Sequence, residues 1–222
     1  MVLQAIGLLL PLAVAMAISS VPIMAALMIL LSPHSHRSSL AYLIGWVVGI
    51  VGLTLVFAAG AMAVPEPTER GANLGVGVMQ IFIGVALEVF AMNMWRRVDK
   101  SVLQELPNWL RVVSAVRPLQ AFGFGVGLNL RPKSLLLTAV VGMVLSTQQL
   151  LPLEFVLVLG IYTLICASTV GIPVIYAFLR PEQAQPWLQQ VREWITQNNR
   201  IITILVMVIV GFVVIGHGLT LL

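Results

Sequence analysis

Charged residues are scarce in this chain: 9% of its 222 residues are Asp, Glu, Lys or Arg, whereas 59% are hydrophobic. A soluble domain of this length needs a larger polar surface, so the composition excludes a soluble fold and indicates an integral membrane protein. Cysteine is almost missing too. Because Cys166 stands alone, disulfide frameworks, CxxC redox pairs and cysteine metal cages are all excluded.

Long apolar runs predict an all-α polytopic membrane fold. Helices of twenty or more apolar residues cross about 30 Å of hydrocarbon, whereas barrel strands would be short alternating segments. The predicted membrane spans are six in number and cover residues 3–31, 38–63, 72–94, 119–146, 152–179 and 201–221. For the first span the alternative is a cleaved signal peptide, because Ala13-Val14-Ala15 resembles a cleavage site, although no basic residue precedes it.

The Lys and Arg residues predict the orientation in the membrane. Nine of them lie in the first, third and fifth loops, and one, Arg70, lies in the second and fourth. By the positive-inside rule the odd-numbered loops are cytoplasmic, so both termini face outward from the cytoplasmic (inner) membrane. The fifth loop also carries an amphipathic segment at 183–198, predicted to lie in the membrane interface or to cap the bundle.

Two prolines in apolar surroundings, Pro22 and Pro132, predict interrupted first and fourth helices. Each follows small or polar residues and precedes an apolar half-helix, and they are 110 residues apart. This spacing predicts a 3+3 inverted repeat, with one three-helix unit at 1–94, a basic linker at 95–118 and a second unit at 119–222. The alternative is that two ordinary proline kinks match by accident.

The candidate binding residues lie at these two interruptions. Arg131 and Lys133 flank Pro132, and a cation within a span marks a functional site by default, because an unpaired charge there is expensive. Snorkelling to the interface is the alternative. The polar groups near the breaks are the remaining candidates: Ser19, Ser20 and Asn129.

Glu88 is the predicted carboxylate of the membrane interior. It lies near the cytoplasmic end of the third span. Three interpretations are open: a counter-ion for Lys133, a proton-coupling carboxylate, or a protonated glutamate satisfied within the bundle.

Other chemistries find little support in the sequence. His34 and His36 lack a nearby carboxylate, so no metal site is predicted. The glycines at 123–127 lack the spacing and the strand–helix setting of a nucleotide fingerprint. No nucleophile–base constellation is visible, so we expect no enzyme activity, no cofactor and no nucleic-acid partner.

Two segments carry a family resemblance. The stretches SSVPIMAALMILLSPHSHRSSLAYLIGWVVGIVG (19–52) and AFGFGVGLNLRPKSLLLTAVVG (121–142) resemble the lysine-exporter (LysE) superfamily, closest to its GAP branch of sulfolipid-addressing proteins. Pro132-Lys133 matches the end of the family's Asn-Pro-Lys motif, but here two residues separate Asn129 from Pro132. The resemblance implies a six-helix exporter of the cytoplasmic membrane.

We therefore expect a secondary exporter or translocator of a glycolipid or a small polar metabolite, coupled to an ion gradient. The alternatives are a non-transporting subunit or assembly factor of a lipid-export machine, and an amino-acid exporter of the LysE type. The expected partners are membrane lipid and the substrate. A homodimer could form through small-residue helix faces, such as the row Ala41, Gly45 and Gly49.

Overall fold

A computed structural model of the chain describes residues 2–32, 35–63, 70–96, 117–148 and 150–219. These residues form α-helices joined by short connections, and no strand occurs among them. The helices are α1 (Val2–Ala17), α2 (Ser20–Leu30), α3 (Ser35–Ala63), α4 (Arg70–Arg96), α5 (Pro118–Leu128), α6 (Pro132–Thr147), α7 (Pro152–Leu179) and α8 (Pro181–Leu219). The all-α class is confirmed. His34 and the predicted basic linker between 97 and 116 lie outside the described residues.

Two of the helices are long and apolar enough to cross a membrane unaided: His36–Met62 within α3, and α7. Three further pairs of helical segments are long and apolar enough when each bent pair is counted as one span. This gives up to five spans among the described residues. These pairs are α1 with α2, α5 with α6, and the two parts of α8. The six-span count and the 3+3 repeat stay predictions, and α4, the predicted third span, is not among the helices that meet this criterion.

The first broken helix bends by 51° between α1 and α2. The break falls at Ile18 and Ser19, not at Pro22, which lies in the first turn of α2. The reason is the geometry of proline, which gives no N–H to the carbonyl four residues earlier and whose ring clashes with that carbonyl. Ile18 is that residue, and here the helix ends beside it, whereas it continues past Pro11 in α1. The predicted interruption is real but lies one turn earlier.

The second broken helix bends by 66° between α5 and α6. Asn129 is the C-terminal cap of α5, and Pro132 is the first helical residue of α6. Proline suits that position because the first amide of a helix has no intrahelical partner. Here the interruption lies where the sequence predicts it.

The second half of the first broken helix, α2, runs through the middle of the bundle. Met24, Ala25, Leu27 and Ile29 of α2 are all buried, although they point in every direction around the helix. A helix that is apolar and buried on all sides is a central element of a core. The outer helices instead expose large apolar side chains, such as Leu164 and Ile172 of α7, as expected for a surface that faces lipid.

Close helix pairs arrange the bundle around this centre. α3 packs along α5 and α6, α1 packs along α7, and α4 packs along α8. A Cβ added at Gly45 of α3 would meet the Phe122 carbonyl of α5, and one at Gly125 of α5 would lie 2.5 Å from the Tyr42 carbonyl. These glycines therefore let two backbones approach within the protomer, and the homodimer stays a prediction.

The amphipathic part of α8 packs on the bundle. Leu188 and Ile195 are buried, and the Trp187 ring lies 5.1 Å from that of Tyr176 in α7. The helix then bends by 67° between Asn198 and Ile201. Of the two interpretations of residues 183–198, the cap on the bundle accounts for these contacts, while Trp194 remains exposed.

Candidate functional site

A single turn of α3 connects the two helix breaks. The Tyr42 hydroxyl donates a hydrogen bond of 2.9 Å to the carbonyl of Pro22, at the first break. One turn further, the Trp46 carbonyl accepts a hydrogen bond of 3.4 Å from the Asn129 amide, at the second break. Residues four apart lie on the same face of a helix, about 6 Å apart along its axis. The two breaks are therefore at similar depth on one side of α3.

Asn129 is fully buried, with no exposed surface. Its Nδ2 donates to the carbonyls of Gly125, at 3.0 Å, and Trp46. Two carbonyl neighbours require the NH₂ group on this side, so the amide orientation is fixed by chemistry. The Oδ1 atom then faces away, and among the described residues no donor reaches it.

Arg131 and Lys133 bring two positive charges to the second break. The Arg131 Nε donates a hydrogen bond of 3.0 Å to the Leu128 carbonyl and so closes the open end of α5. Lys133 lies in the first turn of α6, within electrostatic range of Arg131. Arg131 also lies within electrostatic range of Tyr42, whose hydroxyl donates to the Pro22 carbonyl at the first break. Both cations are thus held near the place where the two breaks approach α3.

Both half-helices that follow the breaks begin without a side-chain cap. Neither Ser19, before α2, nor Arg131, before α6, makes the capping hydrogen bond to the first-turn amides. Uncapped amides and the helix dipole favour negative charge at these positions. Ser19 is buried and Ser20 is half-buried, so of the two hydroxyls Ser20 is the more accessible.

Glu88 lies in a different part of the bundle. It belongs to α4, which packs along α8, and a Cβ added at Gly211 of α8 would lie 2.6 Å from its Oε1. The charged neighbour of Lys133 is instead Arg131. The structure therefore does not place Glu88 as a counter-ion for Lys133, because its helix is turned toward another partner.

Three residues of the site escaped the sequence analysis: Tyr42, Trp46 and Thr169. The Thr169 hydroxyl of α7 donates a hydrogen bond of 2.8 Å to the Ala17 carbonyl, which the first break leaves without its helical partner. Tyr42 and Trp46 lie on the same face of α3 as the row Gly45 and Gly49. That shared face was the one feature of the sequence that could have predicted their place at the site. Thr169 gave none, because its partner is 152 residues away.

Two threonines of α7 provide a matched test of this contact. We expect Thr169→Val to lower the free energy of unfolding by about 1 kcal/mol, because its hydrogen bond to the Ala17 carbonyl is lost, while the Ser19 N–H still donates to that carbonyl. Thr163→Val should be neutral or stabilising, because the buried Thr163 hydroxyl has no hydrogen-bond partner in the part of the chain that the structure describes. Thermal unfolding of both purified variants measures the difference. Equal midpoints for the two would contradict a role for Thr169 at the break.

The arrangement is suited to binding an anion and offers little for other chemistry. It combines two cations and uncapped helix amides, close to where a chain of carbonyl contacts joins three helices. The Asn129 Oδ1, which has no partner among the described residues, is an acceptor and would serve a donor group of a ligand, not its anionic oxygens. Among the described residues no group of three or more His, Cys, Asp or Glu could hold a metal ion.

Fold and site together define an all-helical, membrane-type protein with two broken helices anchored on a common third helix. A family model described as Sap, sulfolipid-1-addressing protein, matches residues 9–220, so the chain belongs to the sulfolipid-1-addressing protein (SfLAP) family. No curated protein and no solved structure matches the chain. The sulfolipid-addressing part of the sequence resemblance is thus confirmed, whereas membership of the wider LysE superfamily stays a prediction.

Proposed function

We propose that this protein translocates an anionic lipid or glycolipid across the cytoplasmic membrane, with the head group bound at the second helix break. The observation that carries the proposal is the pair Arg131 and Lys133 beside a broken helix that α3 ties to the other break. Two neighbouring cations repel each other, so they are stabilised by an anion between them. The family description, which names a sulfolipid, supports a sulfated or similarly charged head group.

The shape of the bundle also supports a lipid substrate. The outer helices expose apolar side chains, so acyl chains could remain in the bilayer while the head group enters the site. Helix pairing supports the 3+3 inverted repeat. The first span of one unit packs on the second span of the other in both directions: α1 packs on α7, and the α5–α6 pair packs on α3. In transporters of this plan two broken helices carry the substrate site near the midplane.

Reconstitution tests this proposal directly. The purified full-length chain is placed in vesicles containing trace fluorescent lipids with either a sulfated or a zwitterionic head group, and a membrane-impermeant quencher reports which leaflet each occupies. We expect the protein to move the sulfated lipid at least about tenfold faster than the zwitterionic one, because the charge interaction is worth more than 1.4 kcal/mol. Vesicles without protein give the background rate.

The alternatives predict different results in the same experiment. A non-transporting subunit moves neither lipid, and its variants at the site lose only the assembly of a larger complex. An amino-acid exporter of the LysE type moves neither lipid but releases an entrapped basic amino acid. Equal movement of both lipids would contradict head-group recognition by Arg131 and Lys133.

A further inference from the structure

The contact between α4 and α8 contains a carboxyl group that the proposed lipid site does not use. A Cβ at Gly84 of α4 would lie 2.9 Å from the Gly211 carbonyl, so the two backbones approach closely at this level. One turn further along α4, the Glu88 side chain lies over Gly211, where any larger residue would displace it. Gly84, Glu88 and Gly211 thus form one packed unit, which we term the α4–α8 seam.

The Glu88 side chain is half-buried, and its buried Oε1 has no hydrogen-bond partner among the described residues. The residues around it on the outer side of α4, Val85 and Val89, are exposed and apolar, so a bilayer would cover them. An ionised carboxylate in such surroundings costs several kcal/mol unless it is paired.

Few other titratable residues occur on the described parts of α4 and α8. On α8, the helix packed against α4, those nearest to Gly211 along the chain are Arg200 and His217, eleven and six residues away. On α4 itself the next is Arg96, eight residues or about 12 Å from Glu88. A metal cation would need several oxygen ligands, and one carboxyl does not supply them.

We propose that Glu88 is a proton-binding site, separate from the lipid site, and that the α4–α8 seam closes over the protonated carboxyl. Binding a proton removes the charge that the seam cannot solvate, and opening the seam to water releases it. This gives the translocator a proton-coupled step. The coupling rests on the proposed function, but proton binding itself does not.

A hydrophobic carbodiimide tests proton binding without any transported lipid. The reagent adds to a protonated carboxyl in apolar surroundings and, after rearrangement, leaves a stable adduct that peptide mass spectrometry locates. The full chain is labelled in lipid nanodiscs, with the exposed Glu193 of α8 as internal reference. At about pH 6, where exposed carboxyls are ionised, we expect about tenfold more adduct on Glu88 than on Glu193. Raising the pH to about 9 should remove most of it.

Two outcomes would overturn the proposal: no excess of adduct on Glu88 over Glu193, or an excess that is the same at both pH values. Glu88→Gln, a neutral side chain of similar shape, should abolish the adduct while the protein remains monodisperse with an unchanged unfolding midpoint. Labelling of Glu88 without lipid movement would refute the translocation and leave the proton site standing. Lipid movement without labelling would refute the proton site alone.

Discussion

Replacing Lys133 by glutamine should slow the movement of a sulfated lipid by about tenfold and leave the stability of the protein unchanged. A charge-assisted hydrogen bond to an anion contributes about 1.5–3 kcal/mol, so its loss gives at least that factor. Stability should not change, because Lys133 is an exposed residue in the first turn of α6. The quencher measurement in vesicles gives the rate, and thermal unfolding gives the stability.

Arg131→Gln should behave differently from Lys133→Gln. Arg131 also donates to the Leu128 carbonyl, so its loss opens the end of α5 and lowers the unfolding midpoint as well as the rate. The double variant should approach the background rate of empty vesicles.

Arg180→Gln is the matched control for these charge variants. It removes one positive charge from an exposed arginine whose recorded bond is to Gln183, outside the site. An equal slowing by Arg180→Gln would mean that net charge, and not the break, governs movement.

The second large effect should come from the contact of α3 with α5. Gly45→Leu places a side chain against the Phe122 carbonyl, a backbone atom that cannot rotate away. We expect it to lower the free energy of unfolding by about 3 kcal/mol and to separate the two breaks from α3. Gel filtration and thermal unfolding of the purified variant measure the loss.

Gly52→Leu is the control for this substitution. It lies on the same helix, two turns further along, and an added Cβ there meets nothing within 4 Å. Leucine also favours the helix over glycine by about 1 kcal/mol, so this variant should be neutral or slightly stabilised. Similar destabilisation by both substitutions would contradict the close approach of α3 and α5.

The breaks show how far a local rule extends. Proline removes a donor and clashes with the carbonyl four residues earlier, and this depends only on the chain near it. Both interruptions, and the cations Arg131 and Lys133 at the second, could therefore be predicted from the sequence. The first break lies at Ile18 and not at Pro22, which agrees with the action of proline on the carbonyl four residues earlier.

The contacts of the site were beyond such rules. Glu88 is a carboxylate in an apolar stretch of the sequence and was a plausible partner for Lys133, yet the structure places it against Gly211, 123 residues away. Tyr42 and Trp46 look like ordinary aromatic residues of an apolar helix until Pro22 and Asn129 are placed beside them. Which residues meet depends on the rotation of each helix about its axis.

The sequence by itself determined the class of this protein: an all-helical, apolar chain with two interrupted helices and a cationic second break. Only the tertiary structure decided that α2 is central, that Gly45 is packed while Gly52 is open, and that Glu88 lies apart from the cations. The physical reason is that lipid and protein core are equally apolar. In a helix of a soluble protein, polarity separates the buried face from the exposed one. Here the two faces of a helix have equally apolar residues, and packing alone distinguishes them.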